Sequence, residues 1–158
     1  MPCYLFTWHA YGTWMPDRPR GYVKSKRLLR PNARVAEAYR KRQRESVARF
    51  DETAQDLIVD ELQNAAEFRR FRLHGIATDP THVHLLVSWD DERPFEEVRR
   101  GVRESVTRRL SEHERRTWFS HRGSRKRVHD RGHFEHLMTR YLPSHRGLCW
   151  FEDQSSDE

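Results

Sequence analysis

At 158 residues without an internal repeat, the chain is sized for one domain, and 5 Trp, 5 Tyr and 8 Phe supply bulky core material although only 35% of residues are hydrophobic. Of 30 basic residues 26 are Arg, and the formal charge of +6 points to nucleic acid as a partner, the competing reading being arginines that merely solvate helices. Cys3 and Cys149 alone exclude a disulfide framework and a cysteine zinc site, and no apolar run approaches the roughly 20 residues that span a bilayer, so a soluble cytoplasmic protein without membrane contact is expected.

In chain order, Cys3 to Tyr11 is rich in aromatic and β-favouring residues and reads as a first strand near the sheet centre. Residues 12–30 form a breaker-rich basic loop in which Trp14 and Tyr22 interleave with Arg18, Arg20, Lys24 and Lys26. Cations for phosphates beside rings for stacking suit single-stranded nucleic acid, as well as an ordinary loop pinned by its aromatics. Residues 31–50 read as a basic helix, and Asp51 can cap a second one with Ala54, Leu57, Ile58, Leu62 and Ala65 on one face.

Residues 71–89 read as a hairpin turning at Asp79-Pro80. Its second arm, Thr81-His82-Val83-His84-Leu85-Leu86-Val87, alternates: Val83, Leu85 and Val87 share one face, His82 and His84 the other. Two imidazoles at that spacing can grip one metal ion, or they are polar residues on a half-exposed strand. Pro94 then opens a helix with Glu96 and Glu97 in its first turn and Phe95, Val98, Val102, Val106 and Leu110 as its buried stripe; Arg99, Arg100, Arg103 and Arg108 lie on its other face. A loop leads to a short basic strand around Arg125, Lys126 and Arg127, and residues 131–141 form the last helix. Phe134, Leu137, Met138 and Tyr141 fall on one helical stripe, which taken in isolation favours a core aromatic at Tyr141. The order β, α, β, β, α, β, α is that of an α+β, ferredoxin-like antiparallel sheet with helices packed on it and an added C-terminal helix, leaving one sheet face for a ligand. Residues 1–150 make the domain and 151–158 an acidic tail.

Taken together, Phe6-Thr7-Trp8, Tyr11-Gly12-Thr13-Trp14, the run from Arg18 to Tyr22, the histidine strand, the region from Arg125 to Val128, and Arg140-Tyr141 near Gly147 resemble the single-tyrosine HUH transposases, including the REP-associated tyrosine transposases. The turn before the first histidine, often Pro-Asn in such proteins, reads Pro80-Thr81 here. The resemblance implies a DNA nicking and strand-transfer enzyme in which Tyr141 attacks a phosphodiester and leaves a 5′-phosphotyrosine. It implies a divalent ion, Mg²⁺ or Mn²⁺, on His82 and His84, with His145 as third ligand about a turn after the tyrosine. Pro143 removes a backbone donor and disfavours helical geometry at Leu142, so the helix is expected to kink or stop before His145. The implied partner is single-stranded or hairpin DNA, contacted through Trp14, Arg18, Arg20, Tyr22, Lys24, Lys26, Arg99, Arg103, Arg125, Lys126 and Arg127. A homodimer is expected by analogy, with the pairing of Tyr141 and histidines within or between subunits open. The alternatives are a non-catalytic ferredoxin-like module that binds single-stranded nucleic acid, and a structural metal protein, which the missing fourth ligand disfavours.

Overall fold

A computed structural model describes residues 1–13, 22–24, 27–42, 45–121 and 123–156. Its central sheet has five antiparallel strands: β1 (Cys3–His9), β4 (Arg72–Thr78), β5 (His82–Ser88), β6 (Ser124–Arg127) and β7 (Cys149–Phe151), in the order β6-β1-β5-β4-β7. With α2 (Glu52–Arg69) between β1 and β4 and α3 (Phe95–His113) between β5 and β6, the first four strands and two helices make the ferredoxin-like sandwich expected from the sequence.

The two helices cover one face. Asp51 caps α2 by accepting from the Ala54 amide at 2.8 Å, and Ala54, Ile58, Val59, Leu62 and Ala65 are buried along it. Val98, Val102, Val106 and Leu110 of α3 are buried as the stripe required, and Phe6, Trp8, Leu73, Ile76, Val83, Leu85 and Val87 meet both helices from the sheet. Within the sheet, period-two alternation therefore sends Thr7, His82, His84 and Leu86 to the opposite face.

That opposite face is not wholly open. A second core of Leu5, Ala77, Leu86, Leu137, Met138 and Leu142 forms where α4 (Arg131–His136), a π-helical turn (Leu137–Tyr141) and a 3₁₀ turn (Leu142–Ser144) cross it. What remains is a cleft at the end of the sheet that carries the histidines.

Four local expectations are corrected. Helix α1 spans Ala33–Arg42, short of the expected residue 50; from Ser46 the chain is without regular structure, with Ala48 and Phe50 buried and their amides bonded to Tyr11 O (2.8 Å) and Pro80 O (2.9 Å). Tertiary backbone partners outweigh a helical propensity that summed to little. The basic loop contains a two-stranded hairpin, β2 (Tyr22–Lys24) with β3 (Arg27–Leu29). The last helix changes to π geometry at Leu137. A further strand, β7, not expected from the sequence because three residues are too short to show a period, is recruited by the free edge of β4. Beyond it Glu152 bonds Arg72 Nε at 2.9 Å and also His74, whose other ring nitrogen lies 2.7 Å from Ser88 Oγ.

Candidate functional site

β1 and β5 pair so that Thr7 lies opposite His84 and His9 opposite His82. Cross-strand neighbours share a face, so four polar side chains converge on the cleft. The connection after Tyr141 brings in a fifth: His145 packs on both histidines, with ring centroids 4.5 Å from His84 and 5.4 Å from His82, and His82 and His84 are 4.7 Å apart. One ring nitrogen from each of the three lies within 4.8 Å of the others.

Each ring is oriented through Nδ1. His82 Nδ1 donates to Asp79 Oδ2 at 3.0 Å, and His145 Nδ1 donates to the Leu142 carbonyl at 3.0 Å. His84 Nδ1 lies 2.6 Å from Thr7 Oγ1, a buried contact in which the hydroxyl can accept. A carboxylate and a carbonyl have no proton to give, so His82 and His145 carry theirs on Nδ1 and keep a lone pair on Nε2, the arrangement found in metal-ligating histidines. Burial, followed by the neighbouring His82 and His145, pushes the pKa of His84 down to about 3, which keeps its imidazole neutral and able to donate electrons at neutral pH. Burial opposes ionisation of Asp79, but hydrogen bonds from Thr81 and the adjacent His82 outweigh it and hold the carboxyl below its ordinary value. Asp79 also closes the turn, with Oδ1 accepting from the Thr81 amide (2.7 Å), the Thr81 hydroxyl (2.9 Å) and the His82 amide (3.0 Å). The donor set thus fits a divalent ion.

Tyr141 faces the same point. Its hydroxyl is 3.5 Å from His84 Nε2, its ring is 5.3 Å from those of His84 and His145, and it is 39% exposed, so it is no core aromatic. The π turn is responsible: the Leu142 amide bonds the Leu137 carbonyl five residues back, and Leu142, fully buried, takes the core place that an α-helix would hand to Tyr141. Pro143 follows at once; its ring would crowd the carbonyl four residues earlier in a regular helix, and the chain ends in a 3₁₀ turn as its position led one to expect. His145 nevertheless reaches the site, from extended backbone at ψ 142.

The segment carrying His145 is pinned from behind. Thr78 gives its amide (3.1 Å) and hydroxyl (2.6 Å) to the Leu148 carbonyl, and Gln55 Oε1 accepts from the Leu148 amide at 3.0 Å and the Thr78 hydroxyl at 3.1 Å. A Cβ at Gly147 would stand 2.2 Å from Thr78 O, so only glycine allows the approach.

Of the residues expected to contact DNA, Trp14, Arg18, Arg20 and Lys26 lie outside the described residues, and Tyr22 and Lys24 are described only as backbone of β2. Lys126, opposite Leu5, is on the histidine side of β6, whereas Arg125 and Arg127, opposite Phe6 and Tyr4, face the helix side. There Arg125 lies 4.1 Å over the Phe95 ring, and Arg99 and Arg103 donate to the carbonyls of Gly123 (3.3 Å) and Ser120 (3.2 Å), bracing the entry to β6. Thr7, His9, Asp79, Arg49 and Arg146 join the cleft without having been assigned to it from sequence. Thr7 and His9 repeat the two-residue spacing of His82 and His84, a signal that acquires meaning only once the strand pairing is known.

No protein-family model matches the sequence, and no curated protein matches it. Solved structures do: a REP-associated tyrosine transposase bound to a REP hairpin (TM-score 0.53, 11% identity) covers 87% of this chain, which spans 62% of that protein's length. A putative transposase from Deinococcus radiodurans R1 (TM-score 0.53, 11% identity) covers 92% of each chain. At that identity the likeness speaks for the fold, and the chain has the α+β fold of these two transposase structures.

Proposed function

We propose that this protein is a single-tyrosine HUH transposase relative, a metal-dependent enzyme that nicks single-stranded DNA and transfers the strand through a 5′-phosphotyrosine. The observation that carries the reading is the convergence of an exposed phenol, 3.5 Å from His84 Nε2, with three histidines whose ring nitrogens come within 4.8 Å of one another. A hydroxyl so placed has a chemical use that a core tyrosine lacks, and the fold shared with two transposase structures agrees with it.

His82, His84 and His145 would hold Mn²⁺ or Mg²⁺. When bound, such an ion polarises the scissile phosphate and offsets charge that develops on it. Tyr141 supplies the nucleophile: its oxygen forms the new bond to phosphorus, the bond to the 3′-oxygen breaks, and that oxygen leaves as a free hydroxyl after taking up a proton. The phenolic proton passes to solvent, since the side chain is 39% exposed. Thr7, Asp79 and the Leu142 carbonyl keep the three rings aimed during the displacement. Rejoining is the reverse attack by another 3′-hydroxyl on the phosphotyrosine, so the phosphoester is conserved without ATP.

DNA is taken as substrate because one of the structural neighbours is bound to a REP hairpin, and the reading places the enzyme in the cytoplasm with its DNA. Among the described residues no helix is long and apolar enough to cross a membrane. In this reading Tyr141 acts with the histidines of its own chain, whose His84 Nε2 is 3.5 Å from its hydroxyl, and a homodimer is expected by analogy alone. The test is incubation with labelled single-stranded DNA and Mn²⁺, followed by denaturing electrophoresis. A covalent protein-DNA adduct that disappears in Tyr141→Phe is expected; DNA binding without any adduct would instead make the chain a non-catalytic nucleic-acid-binding module.

A further inference from the structure

The cleft encloses about 790 Å³, far more than the space around Tyr141 and the three histidines requires. Ser124 of β6, Arg49 and Arg146 line it together with the tyrosine and the histidines. We propose that Arg49 and Arg146 form a phosphate subsite there, gripping the backbone of single-stranded nucleic acid next to the bond that Tyr141 attacks.

Charge is the first reason. Asp79 is the one acid among the described lining residues, and its oxygens are already engaged by Thr81 and His82. Among the described residues neither Arg49 nor Arg146 makes an ion pair; two acids on the Arg146 side, Glu52 and Asp56, line the adjoining groove that Arg146 also borders. Arginine presents a planar fork that matches phosphate oxygens.

Anchoring is the second. Arg49 is exposed, but its neighbours are fixed: the Ala48 amide bonds Tyr11 O at 2.8 Å, the Phe50 amide bonds Pro80 O at 2.9 Å, and both flanking side chains are fully buried. Arg146 follows His145 directly and precedes Gly147, which is wedged against Thr78 and Gln55. Both side chains are exposed on anchored backbone of separate segments, residues 45–50 and 145–148, so binding a ligand in the cleft they share costs little in ordering the chain. Ser124 of β6 lines the same cleft as Tyr141 and the two arginines, and Lys126 shares the face of β6 on which Ser124 lies.

This subsite rests on the function proposed above for its setting but not for its detection. Binding is read by fluorescence anisotropy of labelled oligo-dT across a salt series, in a Tyr141→Phe background that stops cleavage. The Arg49→Gln, Arg146→Gln double variant is expected to bind about tenfold more weakly at low salt, with the slope of log affinity against log salt reduced by about 1.4, or about 0.7 for each lost contact on a single strand. The charge-matched control is Arg100→Gln with Arg108→Gln, on exposed positions of α3 across the sheet, and it is expected to change neither quantity. A double Arg→Lys variant at 49 and 146 should keep the slope, and thermal melts check that every variant is folded. An unchanged slope in the first variant, or an equal fall in the control, overturns the subsite. If the wild-type protein forms the tyrosine adduct while the Arg49→Gln, Arg146→Gln variant binds normally, the subsite alone fails. If no adduct forms yet the slope falls, the subsite stands and the nickase reading fails.

Discussion

Leu142 is fully buried while its neighbour Tyr141 is 39% exposed with its hydroxyl 3.5 Å from His84 Nε2, and the π turn between Leu137 and Tyr141 sets that division. A Cβ at Gly75 would come within 3.1 Å of the Leu142 side chain, so the leucine is seated hard against β4. Leu142→Ala should therefore cost about 2–5 kcal/mol of stability. Tyr141→Phe removes one hydroxyl from a partly exposed ring and should cost at most about 1 kcal/mol while abolishing the adduct. Denaturant melts paired with the adduct gel check both; an adduct formed by Tyr141→Phe would refute the mechanism.

His84 gives the fold a pH dependence. Its pKa falls from 6.5 to about 3 on folding, because burial and two neighbouring imidazoles disfavour its charged form. A depressed folded value means that the unfolded chain binds the proton first. The associated stability is fully present above about pH 6.5 and is lost as pH drops toward 3. Urea melts of the metal-free protein between pH 7 and 4 should show the decline, and His84→Gln should flatten it. A profile identical in the two proteins would assign the decline to other groups.

Thr7 acts on the candidate metal through His84. Thr7→Val keeps the shape but removes the oxygen 2.6 Å from Nδ1, so we expect Mn²⁺ affinity to fall about 10- to 100-fold, with Thr7→Ser restoring it. Calorimetric titration with Mn²⁺ measures this without reference to catalysis.

Gly147 and Gln55 are expected to act on the same measurement through His145. In Gly147→Ala the new methyl would stand 2.2 Å from Thr78 O and 2.5 Å from Gln55 Oε1, so the segment must move and carry His145 with it. Gln55→Leu leaves the Leu148 amide without its acceptor, at about 1–3 kcal/mol. Both should weaken Mn²⁺ binding; affinity unchanged in a folded Gly147→Ala protein would show that His145 does not depend on this anchor.

Replacing the ligands one at a time should separate their roles. His82→Ala and His84→Ala are expected to abolish cleavage and leave oligonucleotide binding largely intact. His145→Ala should raise the Mn²⁺ concentration needed while permitting the adduct at saturation. A metal requirement unaltered in His145→Ala would remove it from the ligand set.

The ferredoxin-like order of elements and the histidine face of β5 were legible from local pattern, because alternation on a strand and the 3.6-residue stripe are properties of short stretches. His82 and His84 needed only that alternation, and the resemblance carried Tyr141 and His145 against a stripe that in isolation favoured a core Tyr141. The escape of Tyr141 from that stripe depends on one five-residue hydrogen bond between Leu142 and Leu137, a backbone choice made where Pro143 and the packing of Leu142 act together. Thr7, Asp79, Arg49 and Arg146 enter the cleft from four separate stretches of chain. Their placement follows from the register of β1 on β5, from the backbone bonds that tie Ala48 to Tyr11 and Phe50 to Pro80, and from the anchoring of Gly147 on Thr78. Those are contacts between residues distant in sequence, and no local periodicity encodes them; only the folded chain brings Thr7, His9, His82, His84, His145, Tyr141 and the two arginines around one cleft.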